Sequence, residues 1–393
     1  MSLSPFWTAA ITTLLALACN WCCLRFIERR GARLAGPARF GPIDGLRGLL
    51  AFAVFLHHAA IWDGYRSDGL WRLPNNFLAN LGPVAVSLFF MITAFLFTTK
   101  VIEAERTDGR FWARFVRSRV LRIVPLYLCF MAWLLLAVGR ETGWTRVVDW
   151  SALSKQIIVW LTFTFAGNGP INGFTQTAYI AAGVTWTLPY EWAFYLLLPV
   201  VALVLRKRSP LWAFGLCLVV PLACLRWTPG LWYALPFTGG MLAAALVKHA
   251  GFCRAARSAG GGAVAGLALA WAIFGLAPEF SLVSTAVLTV AFCLMAGGNS
   301  LGGLLTLRSI RFFGQPAYSI YLLHGPLLYA VFRFVLSRDA SAALSHAHYA
   351  AIVFLVAPVL VVLSHASFRW IELPGMALAI GRAPPGGRTK GSG

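Results

Sequence analysis

About eleven apolar stretches of roughly 15 to 21 residues succeed one another along this chain, most of them long enough to cross a bilayer, and that succession excludes an ordinary soluble fold. In hydrocarbon every backbone N–H and C=O needs a partner inside the protein, and a helix supplies one segment by segment. The expectation is therefore an all-α, polytopic transmembrane helix bundle. The stretches lie near residues 6–23, 46–62, 81–99, 121–138, 185–205, 211–225, 231–247, 261–277, 281–297, 317–336 and 349–368. A composition of 59% hydrophobic and 12% charged residues agrees with this reading.

The net charge of +20 would point to nucleic acid in a soluble domain. Here it is loop charge, the partner is membrane lipid, and no nucleic acid is expected. Short cytoplasmic loops hold the Lys and Arg excess. Placing Arg25 to Arg39, Lys100 to Arg122, Arg206 to Arg208, Lys248 to Arg257, Arg308, Arg311 and the tail from Arg369 on one side gathers most of the 33 basic residues there. The N-terminus then lies outside and the C-terminus inside, which fits a bacterial cytoplasmic (inner) membrane. The short stretch 153–165 does not cross on this arrangement, since crossing would put Arg206, Lys207 and Arg208 outside. Residues 140–184 read instead as one outer excursion carrying an interfacial or re-entrant helix. Three parts follow: an N-terminal helix and basic loop (1–40), a membrane domain (41–376) and a Gly/Pro-rich, disordered tail (377–393). The eight cysteines show no metal-ligand or disulfide spacing, so free thiols and no metal site are expected.

Charge inside hydrocarbon is costly and marks function. Asp44-Gly45-Leu46-Arg47 opens an apolar run that ends in His57-His58. Arg47 and His58 are close to three helical turns apart, so both face one way with the imidazole roughly 16 Å further along the axis; Asp44 lies near the same face and His57 is turned about 100° away. Arg114, Arg117, Arg119 and Arg122 precede another membrane segment. They read as an anchor to anionic head groups or as a phosphate clamp, since guanidinium donates bidentately to phosphate. Glu191, next to Tyr190, is either an interfacial carboxylate or one held at the depth of His58, where it would orient the imidazole. Tyr321 and His324 share a helix face, with Tyr318 one turn earlier; a membrane histidine of this kind either bonds between helices or serves chemistry. Glu372, after the last span, reads as part of a snorkelling charge pair.

The chain resembles the acyltransferase 3 family of integral-membrane O-acyltransferases from about Arg39 to Gly375. The resemblance rests on DGLR with His58 eleven residues after Arg47, GPVAVSLFFMITAFL at 82–96, RSRVLRIVPLY at 117–127, TWTLPYEWAFYLLLP at 185–199, FGQPAYSIYLLH at 313–324 and FRWIELP at 368–374. It implies a ten-helix core, here with one added N-terminal helix. It also implies O-acylation, chiefly O-acetylation, of a hydroxyl on an extracytoplasmic or lipid-linked carbohydrate such as a cell-envelope polysaccharide. The donor would be cytoplasmic acyl-CoA, acetyl-CoA above all, as a co-substrate, with no bound cofactor. The centre would comprise His58, Glu191, Arg47 and Asp44, with His58 as general base or nucleophile. Arg114, Arg117, Arg119 and Arg122 would take the donor phosphates, while Tyr190, Tyr318, Tyr321 and His324 would contact substrate. Three departures from the family pattern, at Thr93-Ala94, Pro189-Tyr190 and Ser118, bear on acyl size or acceptor rather than on the reaction. The rival reading is a polytopic transporter or flippase of a glycan or lipid-linked intermediate, which repeated halves or paired broken helices would favour; the sequence displays neither.

Overall fold

The computed structural model describes residues 4–30, 40–105, 107–207 and 229–379. Among them the architecture is helical throughout, with no strand. The chain runs through α1 (Pro5–Arg29), α2 (Gly41–Asp68), α3 (Leu78–Glu103), α4 (Gly109–Glu141), α5 (Trp150–Leu161), α6 (Thr177–Ile180) and α7 (Thr187–Lys207). It continues through α8 (Leu235–Leu246), α9 (Ala250–Arg257), α10 (Ala259–Phe274), α11 (Leu282–Ala296), α12 (Arg308–Phe313), α13 (Ala317–Tyr329), α14 (Arg338–Ala342), α15 (His346–Ser367) and α16 (Leu373–Ala379). Among the described residues six helices are long and apolar enough to cross a membrane, and a seventh span results if α9 and α10, bent by 72°, count as one.

The apolar pattern predicts more spans than this, and the difference has local causes. Stretch 211–225 lies outside the described residues. The segments at 231–247 and 281–297 form the shorter helices α8 and α11, of 12 and 15 residues. The segment at 317–336 is divided between α13 and a π-helical turn, Ala330–Val335. Stretch 153–165, which was not among the expected spans, contributes to the 12-residue α5, too short to cross about 30 Å at 1.5 Å per residue.

Capping chemistry sets several boundaries. The Asp108 carboxylate accepts the Phe111 N–H at 2.9 Å and starts α4 well before the apolar run. Asp149 does the same for α5 through the Ala152 N–H, and that bond holds its carboxyl below the usual range. Gly69, at φ 73°, lets α2 stop in the left-handed conformation that a Cβ would resist.

Two helices form the heart of the bundle. One side of α2 packs against α3, another against α12 and α13, while α3 also packs against α7 and α8. At Gly240 of α8 any side chain would run into the Met91 carbonyl of α3. The missing Cβ lets these backbones approach, as small residues do between membrane helices. The added helix α1 lies against α15 and α12; Asn20 Nδ2 donates to the Ser309 carbonyl at 2.8 Å, and Asn20 Oδ1 meets His365 Nε2 at 2.9 Å.

Candidate active site

The α2 helix brings two chemistries to one face. Near its start, Arg47 lines a cavity of about 230 Å³ bounded by α2, α3, α4, α7 and α13. Arg119 and Arg122 of α4 enter the same space, three residues apart and so on one helix face. Glu191 and Tyr195 come from α7, Tyr318 and Tyr321 from α13, and Phe89, Phe90 and Thr93 from α3. The volume is below the roughly 300–1,000 Å³ usual for drug-sized ligands, so it suits a thin chain or a small group better than a nucleotide.

The three guanidiniums have few protein partners. Arg119 stacks on Phe97 at 4.7 Å, donates to Ser118 Oγ at 3.0 Å, and keeps a buried Nε–H with no acceptor. Arg122 reaches the Met376 sulfur at 3.7 Å. Among the described residues none of the three is in an ion pair. Their charges are balanced from further off by Asp44, Glu191 and Glu372, each of which feels Arg47 and Arg122. The cavity therefore presents strong donors to whatever enters it, and a phosphate or thioester oxygen is the kind of acceptor they suit.

A second, larger space of about 540 Å³ lies beside the first, with Leu96 lining both. Arg114 and Lys100 border it, together with Glu103, Glu105 and Asp108. Arg117 belongs to neither space; it is exposed and donates to the Leu378 carbonyl of α16 at 3.0 Å. The sequence reading began this membrane segment near Leu121 and placed the four arginines together at its cytoplasmic end. Because α4 begins at Gly109, helical phase divides them instead, Arg119 and Arg122 inward, Arg114 and Arg117 outward.

Three turns further along α2 the chemistry is neutral and aromatic. His58 Nδ1 lies 2.9 Å from the Val54 carbonyl and 3.1 Å from Nε2 of His324. The two rings stack with centroids 5.0 Å apart, and Trp71 stands over the other side of His58 at 6.4 Å. Trp71 in turn stacks on Tyr179 of the long excursion at 4.7 Å. His57 points elsewhere: its Nδ1 donates to the Leu78 carbonyl at 2.8 Å, and its ring fills the space a side chain at Gly82 would need.

The expected carboxylate partner of His58 is not there. Glu191 accepts from Tyr195 Oη at 3.1 Å and faces the arginines, whereas His324 meets the imidazole. Tyr321 bridges the two regions: it lines the cavity, its hydroxyl shares hydrogen bonds with Thr187 Oγ at 2.9 Å and the Val184 carbonyl at 3.2 Å, and its ring lies 6.2 Å from His324. Tyr318 lines the cavity as well, with its hydroxyl donated to the Ile123 carbonyl. Tyr190 packs among Phe90, Trp186 and Tyr233 and does not line the cavity. Asp44 does not line the cavity.

Glu372 is the residue whose placement the sequence reading missed. It is fully buried rather than snorkelling, and it accepts a hydrogen bond from Ser319 of α13, which also meets Ser367. A π-helical turn at Phe368–Glu372 leaves Arg369 and Trp370 exposed and Glu372 inside, towards Arg122. The available signal was a lone acid close behind an apolar span.

A family model described as an acyltransferase domain, Acyl_transf_3, matches residues 41–365. Among curated proteins, one named Acyltransferase MdmB, from Streptomyces mycarofaciens, is 24% identical over 326 residues, covering 73% of this chain and 78% of that protein. No solved structure matches significantly.

Proposed function

Because the chain belongs to the Acyl_transf_3 family of acyltransferases, we propose that it moves an acyl group, acetyl in the first instance, from acyl-CoA to a hydroxyl of an extracytoplasmic or lipid-linked carbohydrate. The observation that carries this reading is the joining of three guanidiniums without ion-pair partners, in one narrow cavity, to a hydrogen-bonded imidazole pair through Tyr321. In this reading the basic end of α2 faces the cytoplasm, as the positive-inside rule favours. The nucleotide end of the donor rests in the larger space beside Arg114 and Lys100. Its extended arm passes Leu96 into the narrow cavity, where Arg119, Arg122 and Arg47 hold its oxygens.

His58 then removes the proton of the acceptor hydroxyl. The oxygen attacks the thioester carbonyl, the tetrahedral intermediate expels the CoA thiolate, and the imidazolium returns the proton to that sulfur. Glu191 serves as a counter-charge within the arginine cluster. Tyr321, which lines the cavity and whose ring lies 6.2 Å from that of His324, would turn its hydroxyl from the Val184 carbonyl to meet the developing oxyanion. Trp71 and Tyr179, the half-buried rings of the aromatic group beside His58, would meet the sugar ring, backed by the buried Trp62 and Tyr65.

The experiment is acyl transfer by purified protein in detergent, with labelled acetyl-CoA and a panel of glycans. Label appearing in the glycan, and lost in His58→Ala, supports the reading. Glycan uptake into proteoliposomes without any acylation overturns it in favour of a transporter.

A further inference from the structure

The acceptors around the two histidines decide where their protons sit. A carbonyl oxygen only accepts, so the 2.9 Å contact from His58 Nδ1 to the Val54 carbonyl is a hydrogen bond only if Nδ1 carries the proton. The same holds for His324, whose Nδ1 lies 3.2 Å from the Ile320 carbonyl. With that tautomer the neutral His324 ring has a bare Nε2, and this atom faces His58 Nδ1 at 3.1 Å as an acceptor. All three contacts are then satisfied at once. The reverse assignment, His324 Nε2–H donating to a bare His58 Nδ1, keeps the contact between the rings and turns both carbonyl contacts into lone-pair repulsions. Protonating both nitrogens of His324 still leaves the Val54 contact repulsive, and it places a cation at a fully buried side chain.

We propose that His324, its Nε2 laid bare by the Ile320 carbonyl, is a positioning residue that acts with the Val54 carbonyl to hold His58 as the Nδ1–H tautomer and thereby reserves His58 Nε2, which bonds to no described residue, as the lone pair that takes the acceptor proton. The proposal rests on the reading of His58 as the proton-accepting group. It gives His324 the part played by the carboxylate in a serine-hydrolase triad, with one physical difference. A neutral imidazole holds the tautomer and solvates the imidazolium through a lone pair, without placing a negative charge in the apolar layer between Trp71 and Tyr321. The His58 proton on Nδ1 is shared between Val54 and His324, so the cation formed during transfer meets two oriented acceptors and needs no rearrangement. His57, the adjacent ring on α2, takes no part because its Nδ1–H is committed to Leu78.

Two variants separate positioning from packing. His324→Leu fills the site but removes the acceptor; His324→Gln restores an acceptor through Oε1. The first readout is independent of turnover: ¹⁵N spectra of histidine-labelled protein in nanodiscs, with His58 identified by its loss in His58→Ala. The wild-type protein and His324→Gln are expected to show a protonated Nδ1 and a bare Nε2 at His58; in His324→Leu the Val54 carbonyl alone holds the tautomer, and a measurable fraction of the Nε2–H form should appear beside it. The second readout is kinetic. His324→Leu should lower kcat by about 100-fold, the low end of what a positioned general base contributes, with the donor KM unchanged, and His324→Gln should recover most of that loss. A wild-type spectrum with Nε2 protonated overturns the proposal, as does a His324→Leu enzyme with wild-type kcat and tautomer, or a His324→Gln enzyme as impaired as His324→Leu. Absence of acyl transfer by the wild-type protein would instead count against the proposed function, while the spectra still decide the tautomer.

Discussion

The two ends of α2 are built on opposite principles. At Arg47 the protein gathers cations whose hydrogen-bond donors find few protein acceptors, in a cavity that shares Leu96 in its lining with a larger space. At His58 it gathers neutral rings, and Nδ1 of each of the three histidines there meets a backbone carbonyl. A buried unpaired charge is tolerable only where something anionic comes to it, whereas a buried imidazole works as a base only if its tautomer is held. The difference teaches that one helix can present a cationic pocket and a neutral imidazole pair on one face, roughly three turns or 16 Å apart; in the proposed reaction the first binds and the second moves the proton.

If the division is real, variants at the two ends should fail in different ways. The largest effect belongs to His58→Ala, expected to lower kcat by about 10³-fold, within the range for losing a general base, with the donor KM little changed; a fall in donor affinity of similar size would erase the distinction. Next is Arg122→Ala, expected to raise the donor KM by about 10- to 100-fold, as losing a charged hydrogen bond of 1.5–3 kcal/mol would, with kcat nearly preserved. Gly240→Ala tests the wall between the ends and should cost about 1–3 kcal/mol of stability in a thermal melt, because α8 would be forced from the Met91 backbone. Arg117→Ala sharpens the comparison from below. Steady-state kinetics should show a change of about twofold or less, as for an exposed charge, although it sits in the same run as Arg119 and Arg122.

Much of this division is visible in the chain itself. The Arg47–His58 spacing is a property of one helix, so the periodicity of 3.6 residues suffices to align them. The phase of Arg119 and Arg122 was readable too, through the Asp108 cap that starts α4 early, but hydropathy alone hides a polar first turn of a long helix. Glu191 was legible as an intramembrane carboxylate and its partner was not, since whether it faces His58 or the arginines depends on how α7 is rotated against α3. Glu372 escaped because it follows the last apolar stretch, where an acid reads as interfacial, whereas the π-helical turn Phe368–Glu372 continues the helix and carries it inside.

Hydropathy and charge by themselves determined a helical membrane bundle, the six motifs carried the resemblance to an acyltransferase family, and helical spacing singled out Arg47, His58 and the α4 arginines as candidates, because all of these are local. Only the tertiary structure decided which of those groups meet: His58 with His324 across 266 positions of chain, Arg47 with Arg122, Ser319 with Glu372. The physical reason is that a side chain's partner inside a membrane is set by the rotation and depth of neighbouring helices, which no single helix encodes.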